Sequence, residues 1–113
     1  MSPPDPHQNK KIEEVDAILS LNRALWGEVF PSLRSARIDW TEDKIILYFY
    51  HDGEISEDDW DSAHCVGTEV IADFPYHKLE VNIERCDYPQ RPPQIGELVY
   101  RRKEQTPEDM SMS

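Results

Sequence analysis

Apolar residues recur along this chain at two different spacings, and each change of spacing marks a change of element. From Lys11 to Phe30 the residues Val15, Ile18, Leu19, Leu25, Trp26 and Val29 recur at three- and four-residue spacing. That spacing predicts a helix turning one apolar stripe toward a core. Gly27 weakens its last turn, and Pro31 disfavours helical geometry at Phe30, so the helix should end near there. The period then drops to two: Ala36, Ile38 and Trp40 face one way, Ser35, Arg37 and Asp39 the other, as in a half-buried strand. After a turn at Thr41–Asp43, the run from Lys44 to Tyr50 is apolar or aromatic at nearly every position. Such a strand sits centrally, covered on both faces or covered on one by a partner.

His51–Ile55 reads as a loop. Ser56, followed by Glu57, Asp58 and Asp59, has the form of a helix start, a hydroxyl cap with negative charge beside the positive end of the helix dipole. The predicted helix runs to about Asp73 with Trp60, Ala63, Gly67, Val70, Ile71 and Phe74 on one face, and Pro75 stops it. The small residues Ala63 and Gly67 imply close approach to a sheet. Leu79, Val81 and Ile83 alternate with Glu80, Asn82 and Glu84, a strand with one buried and one acidic face. Asp87–Gly96 is a proline-rich connection, and Glu97–Lys103 reads as a last strand. The order α-β-β-α-β-β predicts an α+β fold: a four-stranded mixed or antiparallel sheet with two helices packed on one face. The helical crossover makes the second and third strands parallel if they are neighbours, with hairpins flanking them.

A chain of 113 residues has room for one core. The folded domain is expected over residues 11–103, with 1–10 and 104–113 disordered, because the first segment is proline-rich and the last lacks aromatic and β-branched apolar residues. The formal net charge of -11, from 23 acidic and 12 basic residues, changes the picture of partners. Nucleic acid is not expected as a direct partner, since binding it means neutralising phosphates with clustered Lys and Arg; a basic protein fits better. The same acidity also serves solubility alone. No apolar run approaches the roughly 20 residues that cross a bilayer, and the first residues lack a signal core, so no membrane is involved and a cytoplasmic location is expected. Cys65 and Cys86, only two thiols, neither need nor imply a disulfide framework.

Candidate chemistry is sparse. His7, His51, His64 and His77 are scattered, without a phosphate loop, nucleophile elbow or zinc spacing around them. A Cys65–His dyad would require His51 or His77 to approach in space, because adjacent His64 points elsewhere on a helix. A metal site from Asp52, Glu54 and Asp58 lacks the ligand pattern of a calcium loop. No catalysis and no cofactor are expected. The informative stretch is Asp52, Glu54, Glu57, Asp58, Asp59 and Asp61, which has no Lys or Arg within it and follows Tyr48 and Tyr50. Aromatic anchors beside dense charge are what protein interfaces use, and these eight residues form the expected partner-binding site. Reversal of charge at Asp58 and Asp59 should then weaken binding without unfolding. The same residues have an ordinary explanation in helix-dipole complementation and sheet packing. Arg101, Arg102 and Lys103, too few for nucleic-acid binding, are expected to pair with nearby acids.

Four blocks carry a resemblance: Leu25-Trp-Gly-Glu-Val-Phe-Pro-Ser-Leu-Arg34, Ile46-Leu-Tyr-Phe-Tyr-His-Asp-Gly-Glu-Ile-Ser-Glu57, Thr68-Glu-Val-Ile-Ala-Asp-Phe-Pro75, and Asp87-Tyr-Pro through Gly96-Glu-Leu-Val-Tyr-Arg-Arg-Lys103. Together they resemble small bacterial immunity proteins of toxin-immunity pairs, of the contact-dependent growth inhibition or polymorphic toxin type. The resemblance implies a non-enzymatic protein that binds and neutralises a cognate toxin, often a nuclease, whose basic domain an acidic protein can occupy. It assigns no particular binding residues. The alternative class is a homodimeric structural or regulatory protein that pairs through its aromatic strand or an open sheet edge.

Overall fold

The computed structural model describes residues 12–26, 28 and 31–104. Its elements are α1 (Glu14–Trp26), β1 (Leu33–Trp40), β2 (Lys44–His51), α2 (Glu57–Ala72), β3 (Lys78–Arg85) and β4 (Glu97–Arg101). This is the expected α-β-β-α-β-β order, with two helices and a four-stranded mixed sheet. The expected disorder of residues 1–10 and 105–113, and the expected helical places of Lys11, Val29 and Phe30, lie outside the described residues.

The period-two pattern sets the faces of the sheet. Ala36, Ile38 and Trp40 of β1 stand opposite Phe49, Leu47 and Ile45 of β2 in an antiparallel register. Leu79, Val81 and Ile83 of β3 stand beside Ile45, Leu47 and Phe49 in a parallel one. These side chains form the floor on which the helices pack, with Ala17, Leu21, Ala24, Ala63, Val66 and Val70 above them. A parallel β2–β3 pair needs a crossover, and α2 supplies it. Gly67 allows the close approach: a Cβ there would stand 3.0 Å from a Leu79 methyl and 3.1 Å from one of Val81.

Two expectations are corrected. The stripe read into α1 is not the buried one. The helix buries Ala17, Ser20, Leu21 and Ala24, whereas Val15, Leu19 and Trp26 are exposed. Ile18 and Leu25, which belong to the expected stripe, are partly buried at the margin. A small-residue seam lets a helix lie close to its neighbours, so the bulkier apolar residues are turned outward. Trp60 of α2, expected in the core, is likewise exposed.

The second correction concerns β4, which forms no hairpin with β3. The sheet order is β3-β2-β1-β4, and β4 pairs antiparallel with β1 through Ser35↔Arg101 and Ile38↔Glu97. The connection between residues 86 and 96 therefore crosses to the far edge of the sheet. Arg34, the bulge residue at the start of β1, receives it. Its guanidinium donates to the carbonyls of Cys86 (2.7 Å) and Gln90 (2.5 Å) and makes a bidentate pair with Glu104 (2.7 and 2.9 Å). Arg34 is buried, and its guanidinium carbon stands over the Tyr88 ring, 5.7 Å from the centroid. Glu104, one residue past the expected limit of the domain, is thus part of this anchor. The anchor differs in kind from the exposed Lys44–Glu80 pair, since surface pairs contribute under about 1 kcal/mol. Loss of one partner of a buried ion pair costs about 3–5 kcal/mol.

The connection ends at Gly96, whose φ of 66° is left-handed and whose missing Cβ would stand 2.5 Å from the Ile38 carbonyl oxygen. Gly53 is also left-handed, at 84°, but open space surrounds it. Gly96→Ala should therefore destabilise the protein by about 1–3 kcal/mol and by clearly more than Gly53→Ala, as urea denaturation would measure; equal effects would remove the close approach as the cause. Arg34→Met, which takes the guanidinium donor from two carbonyls and leaves Glu104 with Arg102 alone, should lower stability by about 3 kcal/mol in the same assay.

Candidate functional site

The acidic stretch folds into two sets of residues with different duties. Ser56 caps α2 by accepting from the Asp59 backbone N–H at 3.1 Å, and the Asp59 carboxylate accepts in return from the Ser56 N–H at 3.1 Å. The same carboxylate oxygen accepts from the Ser32 hydroxyl at 3.3 Å and stands 4.0 Å from Nδ1 of His51. Asp59 is therefore committed to the helix start and to the segment leading into β1, and reversing its charge would disturb the fold. Asp52 is committed too. It pairs with Arg102 at 3.0 Å and accepts from the Tyr88 N–H at 3.2 Å, and the Arg102 hydrogen bond is the main reason its carboxyl is held below the usual range. The expected pairing of the basic cluster is realised at Arg102, which also holds Glu104 at 2.8 Å.

Glu54, Glu57, Asp58 and Asp61 remain exposed at the start of α2. Tyr48 and Tyr50 do not join them. Their parity in β2 is opposite to that of Ile45, Leu47 and Phe49, so they point to the sheet face away from the helices. Tyr50 is only 2% exposed there. Tyr48 is half-buried, its phenol pushed up first by desolvation and then by a different set of carboxylates, Asp39, Glu80 and Glu84. The structure thus groups four of the acids at one helix end and sets the two rings on the other side of the sheet.

Among the described residues, the histidines and cysteines are engaged separately. Ser32, His51 and Asp59 are the three residue types of a hydrolytic triad, but the geometry is not that of a relay. The Ser32 hydroxyl, at 2.9 Å, and Asp59 both approach the same ring nitrogen, Nδ1, whereas a triad places the ring between base partner and nucleophile. His51 is fully buried and held as neutral imidazole by that burial, against the pull of Asp59. Cys65 is exposed on α2, His64 stacks on Trp60 at 6.0 Å, and His77 packs edge-on against Phe74. Among the described residues no group of three or more His, Cys, Asp or Glu is placed to hold a metal ion. No helix among them is long and apolar enough to cross a membrane.

Periodicity alone missed the outer surface of the helical layer. The two helices carry the acids Glu14, Asp16, Glu57, Asp58, Asp59, Asp61 and Glu69, but among Lys and Arg only Arg23. Val15, Leu19, Trp26 and Trp60 are exposed in the same layer. The remaining described bases lie on the sheet and its connections. The signal was present: α1 has two apolar stripes, one of small residues and one of large, and the small one is buried.

A sequence model of the family described as MafI2 immunity protein matches residues 14–104, which takes in all six elements and the Arg34–Glu104 anchor. No curated protein matches the chain.

The buried imidazole has a consequence for stability. His51 is held below its ordinary 6.5 in the folded protein, so the unfolded chain takes up that proton first as the pH falls. The contribution is whole above about pH 7 and is lost as the pH drops through 6.5. Carboxylates held low, such as Glu104 beside Arg34, act in the same direction but only below about 4.5. Unfolding free energies measured in urea should fall between about pH 7.5 and about pH 5, and His51→Gln should flatten that segment. An unchanged slope in the variant would show that His51 is not the group responsible.

Proposed function

We propose that this chain, which belongs to the MafI2 immunity protein family, binds a cognate bacterial toxin with a basic nuclease domain and neutralises it. Membership of an immunity family implies a toxin as partner. The nuclease assignment rests on charge. A domain that handles RNA or DNA needs a cationic cleft for phosphates, and a protein of net charge -11 is suited to compete for it.

The observation that carries this reading is the acidic start of α2. Glu54, Glu57, Asp58 and Asp61 are exposed there, whereas Asp52 and Asp59 are drawn into the fold. Unpaired surface carboxylates of this density raise the rate of encounter with a cationic partner, by roughly 10 to 1,000-fold at low salt. Tyr48, half-buried on the sheet's other face, supports a second and separate contact on a partner large enough to reach it.

Co-production with its cognate toxin domain should protect cells. The purified pair should associate more slowly as salt is raised. Asp58→Lys with Asp61→Lys should weaken binding about 10-fold at low salt with little change in thermal midpoint. Salt-independent association, or full affinity in the double variant, would remove the acidic end of α2 from the interface.

A further inference from the structure

Successive residues of an α-helix are turned by about 100°, so Val15, Leu19 and Trp26 fall within roughly 40° of one another on the cylinder of α1. They form one outward stripe, with exposures of 60%, 46% and 77%. The opposite side of the helix, Ala17, Ser20, Leu21 and Ala24, supplies the buried residues of α1, with Ile18 and Leu25 packed at the margin. The fold therefore leaves its largest α1 side chain, an indole, in water and buries alanines in its place. A tryptophan presents about 150–250 Å² of surface, and Trp is among the residues most enriched at the energetic centres of protein interfaces.

The electrostatic setting specifies the partner. Glu14 and Asp16 lie in the first turn beside Val15, and α2 in the same layer adds five more acids and no Lys or Arg. The layer's arginine, Arg23, is turned onto its own chain, donating to the Leu19 carbonyl at 3.4 Å and pairing with Asp73 at 3.9 Å. An apolar stripe in a field of carboxylates complements an apolar patch ringed by Lys and Arg.

We infer that Val15, Leu19 and Trp26 form the apolar anchor of the toxin contact, seated on a basic protein surface while the carboxylates of the helical layer meet its cations. This rests on the proposed function, and it locates the tight contact on α1. The acidic end of α2 then governs the approach, and the α1 stripe governs how long the complex lasts.

The test measures the full chain against an inactivated form of its cognate toxin domain, by biolayer interferometry at low and at physiological salt. Trp26→Ala and Leu19→Ala should each raise the dissociation rate, with affinity falling at least about 10-fold for Trp26→Ala; Trp26→Phe should recover part of it. Far-UV circular dichroism and thermal midpoint should not change, because neither side chain packs in the core. Full affinity in Trp26→Ala, with the unaltered chain binding tightly, would overturn the anchor and leave the immunity reading standing. Failure of the unaltered chain to bind would overturn that reading, and the anchor with it. If the unaltered chain elutes as a dimer and Trp26→Ala as a monomer, a second copy covers the stripe and the toxin assignment is wrong. Tighter binding on deletion of residues 1–10 would instead make this chain's own leading segment the occupant.

Discussion

A buried guanidinium is the constraint on which the topology depends. Arg34 can leave water only if its donors are met, and they are met by two carbonyls of one segment and a carboxylate of another. These partners come from the far side of the sequence. The connection between β3 and β4 is therefore held at the start of β1, and the strand that follows it is delivered to the β1 edge. Arg102 adds to the same node by linking Glu104 to Asp52, just past the end of β2. The node is polar, yet it orders the strands, while the apolar floor of the sheet decides only which face the helices cover.

The molecule is also divided electrically. Cations are used on the sheet side, where Arg34, Arg85 and Arg102 each hold a carboxylate of their own chain. The helical side keeps its carboxylates largely uncommitted, apart from Asp59 in the capping box and Asp73, which accepts from Ser20 at 2.6 Å. A surface on which charges are left without internal partners, next to large apolar side chains left half or more exposed, is arranged for contact with another molecule.

Much of the fold was legible from period. The alternation in β1 and β3, the unbroken apolar run of β2 and the Ser56 cap all appear where the pattern places them. Strand order was not legible, because alternation fixes which face a residue takes and says nothing about which strand lies alongside. The α1 stripe was misread for a related reason. Apolar spacing identifies a helix but does not choose between two apolar sides, and the choice went to Ala17 and Ala24, whose small size allows tight packing. The candidate site was legible in part. Six adjacent acids draw attention as a group, but only geometry separates Asp52 and Asp59, which serve the fold, from Glu54, Glu57, Asp58 and Asp61. The side taken by Tyr48 and Tyr50 could have been read from parity, since Ile45, Leu47 and Phe49 claim the helical face.

Arg34 and Glu104 are 70 residues apart, and that separation matters during synthesis. As the chain leaves the ribosome, α1, β1, β2, α2 and β3 can all assemble before the segment that closes them exists. Until then β1 is a bare edge with its amides and carbonyls unanswered, and a guanidinium waits beside it without its acceptors. A nascent domain in that condition is open to pairing with a neighbour on the same polysome. Pairing of one short strand with β1 then covers that edge and brings Glu104 to Arg34.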